Sequence, residues 1–90
     1  MKNNRTMRIN FKEMNIKLTF EGEPVVMDVR HMVGNVIHQN TADLGMDELA
    51  RKIYFSDGEV EVPEELIPEL LRISASCFNV PLQQAIKDQL

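Results

Sequence analysis

The chain has 90 residues, enough for one small domain. Its composition, 43% hydrophobic and 27% charged, is ordinary for a soluble globular domain. No apolar run approaches the ~18 residues of a membrane-spanning helix, and no apolar stretch follows the basic N-terminus, so we expect neither a membrane span nor a secretory signal. The single cysteine, Cys77, excludes an internal disulfide and fits a reducing cytoplasm, where we expect the protein to act.

The formal net charge of −4 is unevenly distributed along the chain. Residues 14–90 hold six basic and thirteen acidic side chains, a net charge of −7, and such an acidic body is repelled by phosphate backbones. Residues 1–13 hold four basic side chains against Glu13 alone, a net charge of +3. These four basic residues are Lys2, Arg5, Arg8 and Lys12. Nucleic acid is therefore disfavoured as a partner, although the basic segment can contact an anionic one.

A change in the apolar pattern separates the basic segment from the rest of the chain. Apolar residues alternate at odd positions up to Phe11, which permits a short strand, and at even positions from Met14 onward. A strand cannot switch its apolar face in this way without a bulge or a break. We therefore predict a basic, flexible tail over residues 1–13 and a single domain over residues 14–90.

Two strands joined by a turn are predicted next. Residues 15–20 alternate apolar and polar side chains, which is typical of a half-buried strand, and residues 25–28 begin with a β-branched apolar run. The glycine and proline of residues 21–24 favour a turn, so that the two strands form a β-hairpin. The predicted core-facing residues of the first strand are Ile16, Leu18 and Phe20.

Two amphipathic helices follow the hairpin. Asp28 can cap the first, whose apolar residues recur at positions 29, 32, 33, 36 and 37. Gly34 lies inside this helix and weakens it by about 1 kcal/mol relative to Ala, which indicates that another element packs closely there. The second helix is predicted to begin at a Gly45 N-cap, and Gly58 is predicted to end it in the left-handed conformation. Its predicted apolar residues are Met46, Leu49, Ala50, Ile53 and Tyr54.

The remaining chain predicts one strand and two further helices. Residues 59–62 alternate glutamate and valine, which predicts a short strand with both valines inward. Pro63 is tolerated at a helix start, and Pro68 predicts a kink or a separate first turn over residues 63–67. Asn79 opens a last helix. The predicted fold is α+β: an N-terminal β-hairpin, with residues 59–62 as a candidate third strand, packed against about four short helices.

The sequence contains no constellation of catalytic, cofactor-binding or metal-binding residues. His31 and His38 are two helical turns apart, whereas zinc ligands on a helix favour a spacing of four residues. Ser74 does not lie in a GxSxG turn, and Cys77 has no histidine close in sequence, so it is predicted to be a packed thiol beside Phe78. We therefore predict no enzymatic activity, no cofactor and no metal.

A concentration of acidic residues surrounds the predicted strand 59–62. One interpretation is a solvated turn whose carboxylates also favour the positive end of the following helix. The other is a docking surface for a basic protein partner. The residues of this candidate partner surface are Asp57, Glu59, Glu61, Glu64 and Glu65.

The first two helices also suggest a helix-turn-helix motif. Their predicted connection is long for that motif, and the acidic start of the second helix, at Asp47 and Glu48, would face phosphates. We therefore disfavour this interpretation.

Four short motifs stand out along residues 14–90. They are Gly-Asn-Val-Ile at 34–37, ELA-x-KIY at 48–54, GEVEV at 58–62 and a Pro-Leu…Ala-Ile…Leu helix at 81–90. Together with the preceding hairpin, this order resembles small uncharacterised proteins that bacteriophages and prophages encode. The resemblance implies an α+β fold of mobile-element origin, and it assigns no activity and no functional residues.

The leading functional hypothesis is a non-enzymatic protein–protein interaction module of mobile-element origin. Self-association is part of it, because a small domain with six methionines and a hydrophobic hairpin leaves an apolar face to cover. One alternative is a nucleic-acid-associated regulator that uses the basic residues of the segment 1–13. Another is a small enzyme subunit whose site is completed across a dimer interface.

Overall fold

The computed structural model describes residues 5–90, which form four α-helices, four short strands and one 3₁₀ turn. The strands are β1 (Thr6–Asn10), β2 (Met14–Ile16), β3 (Val25–Met27) and β4 (Glu59–Pro63). The helices are α1 (Arg30–Asn40), α2 (Leu44–Tyr54), α3 (Ile67–Cys77) and α4 (Val80–Asp88), and the 3₁₀ turn covers Glu64–Leu66. The predicted α+β class, the four helices and the separate turn before α3 are confirmed. None of the helices described is long and apolar enough to cross a membrane.

The strands form two separate antiparallel sheets of two strands each. β2 pairs with β3, which confirms the predicted hairpin. β4 pairs with β1, where Val60 lies opposite Ile9 and Val62 lies opposite Met7. The prediction that residues 59–62 extend the hairpin as a third strand is therefore wrong. Alternation located the strand and its two buried valines, but the apolar positions that match them are those of β1.

Strand β1 also corrects the prediction of a flexible tail over residues 1–13. Ile9 and Phe11 are fully buried in the core, so this segment is part of the domain from β1 onward. The Phe11 carbonyl oxygen accepts a hydrogen bond from the Val29 N–H at 2.8 Å, which joins the segment to the start of α1. Residues 1–4, which include Lys2, lie outside the described residues.

The change of apolar parity marks the corner between the two sheets. The side-chain oxygen of Asn10 accepts hydrogen bonds from the backbone N–H groups of Lys12 and Glu13, both at 3.0 Å. This turn lets β1 and β2 direct their apolar residues into one core although those residues fall at odd positions in β1 and even positions in β2.

Helices α1 and α2 approach each other closely at Gly34. A Cβ atom at Gly34 would lie 2.9 Å from the Ala50 carbonyl oxygen and 3.0 Å from the Tyr54 Cβ, closer than ordinary van der Waals contact. The close packing that the sequence predicted at Gly34 is therefore confirmed. This close packing joins α1 and α2, and the cleft described below lies between the same two helices.

Helix ends follow the predictions in part. Asn79 caps α4, because its side-chain oxygen accepts a hydrogen bond from the Leu82 N–H at 3.1 Å. The N-cap of α2 is Asp43 rather than Gly45, and the Asp43 carboxylate accepts from the Gly45 N–H at 2.9 Å. Gly58 lies beyond the end of α2 and does not have a positive φ, so its predicted role as a left-handed helix terminus is wrong.

Candidate functional site

The predicted acidic partner surface lies on β4 and on the segments at either end of it. Its members, Asp57, Glu59, Glu61, Glu64 and Glu65, are all exposed. The Glu61 carboxylate lies 3.8 Å from the Arg8 guanidinium on the paired strand β1. Glu61 and Glu65 line a shallow depression of about 240 Å³ together with Lys52. Nearby cations therefore offset part of this acidic charge, and a basic partner at this surface stays a prediction.

The basic residues of the N-terminal segment lie on a structured part of the molecule. Arg5, Arg8 and Lys12 are exposed, and Arg8 faces Glu61. The connection between α1 and α2 has three residues, shorter than predicted and within the range of a helix-turn-helix motif. The start of α2 is nevertheless acidic, as the sequence indicated, because Asp43 caps the helix and Asp47 lies in its first turn. This charge still disfavours docking of α2 on nucleic acid.

A cleft of about 470 Å³ lies between α1 and α2. On its wall the Nδ1 atom of His38 is hydrogen-bonded to the Asp47 carboxylate. His31 instead stacks on Tyr54, with ring centroids 4.2 Å apart. The two histidines therefore have different partners. No group of three or more metal-ligating side chains occurs in the part of the chain that the structure describes.

The His38–Asp47 pair can orient an imidazole, but nucleophilic catalysis also needs a hydroxyl or thiol within its reach. The described residues that line this cleft include no serine, threonine or cysteine, and the hydroxyl among them is the phenol of Tyr54, whose ring stacks on His31. Ser74 is buried in α3, where its hydroxyl donates to the Leu70 carbonyl oxygen at 2.7 Å. Cys77 is exposed at the end of α3, so the prediction of a packed thiol is wrong. Phe78 is buried beside it, because consecutive side chains point in different directions.

The Asp28 carboxylate forms a close ion pair at the junction of β3 and α1. It accepts hydrogen bonds from the Arg30 guanidinium at 2.7 and 2.9 Å and from the Arg30 backbone N–H at 3.1 Å. These donors, the guanidinium first, lower the pKa of Asp28 to about 2. The carboxylate therefore stays ionised and paired across the ordinary pH range.

A carboxyl-carbon NMR titration is expected to give a pKa of about 2 for Asp28, and Arg30→Gln is expected to raise that pKa toward its ordinary value of 3.8. Because folding lowers the pKa, the stabilising contribution is complete above about pH 4 and is lost as the pH falls toward 2. Arg72→Gln, which removes the partner of Glu69 instead, is the control. An Asp28 pKa that does not respond to Arg30→Gln would contradict this assignment.

An apolar surface covers the hairpin and the adjoining parts of α1 and α4. We call it the hairpin surface; its members are Leu18, Phe20, Val25, Val26, Met27, Met32 and Val80, all exposed. Leu18 and Phe20 were predicted to face the core, and Phe20 is in fact 100% exposed. β2 ends at Ile16. Because the following residues are not in a strand, the alternation of apolar and polar residues no longer predicts which side chains face the core.

Two adjoining depressions, which share Leu18, connect five members of the hairpin surface. Leu18, Met27 and Met32 line a groove of about 380 Å³ whose floor includes core residues such as Phe78. Leu18 also lines a second depression of about 450 Å³, together with Phe20 and Val80. Methionine side chains are flexible and polarisable, and they are common at surfaces that adapt to a partner. The geometry is therefore that of a concave apolar surface open to solvent.

The connection between β2 and β3 keeps Phe20 away from the core. The Thr19 hydroxyl oxygen accepts a hydrogen bond from the Gly22 N–H at 2.9 Å, which closes a tight turn around Phe20. A Cβ atom at Gly22 would collide with that same oxygen, so the turn favours glycine. The local sequence thus holds a large aromatic side chain in solvent.

No protein-family model, curated protein or solved structure matches this chain. The hairpin surface is therefore assessed from its own chemistry. The sequence did contain a signal for it: Val25, Val26 and Met27 are consecutive apolar residues, whereas a half-buried strand alternates. All three are exposed. We interpreted this run only as a strand. A half-buried strand carries polar residues on its outward face, and the absence of a polar residue here indicated an exposed apolar surface.

Proposed function

We propose that the protein is a cytoplasmic protein–protein interaction module that docks through the hairpin surface. The observation that carries the proposal is the exposure of seven apolar side chains on and beside the hairpin, five of which line two adjoining depressions. Monomeric soluble proteins rarely leave contiguous apolar patches larger than a few hundred Å² uncovered, and such patches mark sites of interaction. The resemblance of four short motifs to small bacteriophage and prophage proteins implies an origin in a mobile element, which stays a prediction.

A protein suits this surface better than the other classes of ligand. The hairpin surface has an apolar centre, whereas nucleic acid is bound mainly by cationic side chains. Its two depressions are open and adjoin one another, whereas small molecules are mostly bound in clefts that bury 70–90% or more of the ligand. An apolar centre with a polar rim is the usual anatomy of a protein interface. Asn15, Lys17 and Gln84 supply polar groups at its edge.

Site-specific photo-crosslinking in cells tests this proposal. A photoreactive phenylalanine analogue at position 20 is expected to form a discrete protein adduct, because Phe20 is fully exposed and lines one depression of the hairpin surface. The matched control places the same analogue at Phe55, which is 74% exposed but lies outside that surface. Mass spectrometry of the adduct identifies the partner, including a second copy of the chain. Adducts at position 55 with none at position 20 would refute the proposal.

A further inference from the structure

The dipeptide Asp57-Gly58 lies in the short connection between α2 and β4. Before it, the chain is held at Ser56, whose carbonyl oxygen accepts a hydrogen bond from the Arg30 guanidinium. After it, pairing with β1 begins at Glu59. The two residues between these points belong to neither α2 nor β4. A local change of conformation in this dipeptide therefore requires no helix or strand to unfold.

Neither the side chain of Asp57 nor the backbone nitrogen of Gly58 is held by a partner. Asp57 is exposed, and within residues 5–90 its carboxylate accepts no hydrogen bond and forms no ion pair. The Gly58 N–H donates to no acceptor in that same part of the chain. A Cβ atom at Gly58 would meet nothing within 4 Å, so the space beside this nitrogen is open. The nitrogen is therefore left to water and to its own neighbouring side chain.

We propose that Asp57 is a site of spontaneous isomerisation to isoaspartate, an inference that is independent of the proposed function. The Gly58 nitrogen attacks the side-chain carbon Cγ of Asp57, and the new N–Cγ bond closes a succinimide ring. The hydroxyl of the protonated carboxyl group leaves as water with the proton of that nitrogen. Water then adds to one of the two ring carbonyls. Cleavage of the bond from nitrogen to Cγ restores aspartate, whereas cleavage of the bond from nitrogen to the backbone carbonyl carbon gives isoaspartate.

Asp28 shows how the same reaction is disfavoured elsewhere in the chain. Its carboxylate is held by the Arg30 guanidinium at 2.7 Å. The nitrogen that would attack it belongs to Val29, whose N–H donates to the Phe11 carbonyl oxygen at 2.8 Å. Val29 is also β-branched and therefore restricts rotation beside that nitrogen. No other aspartate or asparagine of the sequence precedes a glycine, so the chemistry singles out Asp57.

Isomerisation at Asp57 changes the geometry of the chain and preserves its charge. Isoaspartate keeps one free carboxylate, so the acidic surface around β4 keeps its net charge. The backbone then runs through Cβ and Cγ and gains one atom between Ser56 and Glu59. Because Arg30 holds one side of this segment and β1 pairs with the other, the longer chain must displace one of these two contacts.

Incubation of the purified full chain in heavy-oxygen water tests the inference. Each passage through the succinimide transfers one solvent oxygen to residue 57, whether it ends as aspartate or as isoaspartate. Peptide mapping by mass spectrometry, after weeks at neutral pH, is expected to find heavy oxygen and isoaspartate at Asp57 and neither at Asp28. Equal labelling of Asp57 and Asp28 would overturn the inference.

Gly58→Ala is the matched variant, because the added methyl group hinders ring closure at a position where a Cβ atom has no neighbour within 4 Å and φ is not positive. It is expected to slow the labelling of Asp57 several-fold. The native chain is also compared with the same chain unfolded in urea, and the two are expected to label Asp57 at rates within a few-fold of each other. Labelling of Gly58→Ala at the native rate, or labelling of Asp57 in the unfolded chain alone, would overturn the inference.

Discussion

Phe11→Ala is expected to lower the free energy of unfolding by about 3–5 kcal/mol, as large-to-small substitutions do in a packed core. Phe11 has 0% of its surface exposed, although it lies in the segment that the sequence assigned to a flexible tail. Its loss would leave a cavity beside β1 and α1. Because domains have only ~5–15 kcal/mol of net stability, this variant is expected to be close to unfolded. Urea denaturation followed by circular dichroism measures the effect.

Phe20→Ala makes the same chemical change at a side chain that is 100% exposed, and it is therefore the control. Its effect on the free energy of unfolding is expected to stay within about 0.5 kcal/mol. The comparison requires a low protein concentration, so that association through the hairpin surface does not contribute. Equal losses for the two variants would contradict the buried position of Phe11.

Gly34→Ala is expected to destabilise the protein although alanine is the better helix former. The added Cβ would lie 2.9 Å from the backbone oxygen of Ala50, which cannot move without displacing α2. Overpacking of this kind costs about 1–3 kcal/mol, whereas the gain in helix propensity is about 1 kcal/mol. The expected net loss is up to about 2 kcal/mol, measured by thermal or urea denaturation.

Gly58→Ala separates the packing effect from the effect of glycine on the unfolded chain. A Cβ atom at Gly58 would meet nothing within 4 Å, and its φ is not positive. The substitution is expected to leave stability unchanged or to raise it by about 0.4–1 kcal/mol, because it restricts the unfolded chain. If Gly34→Ala raised the free energy of unfolding by as much as Gly58→Ala does, α1 and α2 would not approach each other closely at Gly34.

The helices were predictable because helical periodicity is a local property. Val33 and Ile37 in α1 and Leu49 and Ile53 in α2 follow the predicted spacing, and all four are buried. Alternation likewise located β4 and its inward valines. In each case the residues that carry the signal lie within a few positions of one another, so tertiary packing was not needed to recognise the element.

Strand pairing and exposure were not predictable in the same way. The alternating pattern of β4 would allow it to pair with any strand that has an apolar face. Its pairing with β1 depends on the tertiary arrangement of segments that are distant in sequence. The alternation through Leu18 and Phe20 continued beyond the true end of β2, so it assigned both residues to the core. The hairpin surface was missed for this reason, although self-association through the hairpin was among the hypotheses.

The pairing of β1 with β4 has a consequence for synthesis on the ribosome. Thr6 lies opposite Pro63, so β1 meets its partner 57 residues later in the chain. At ~5–20 residues per second, the apolar face of β1 stays without its partner for roughly 3–11 s. The Asn10 N–H further donates to the side-chain oxygen of Gln89 at 2.7 Å. Strand β1 is therefore completed only after α4 and Gln89 have been translated.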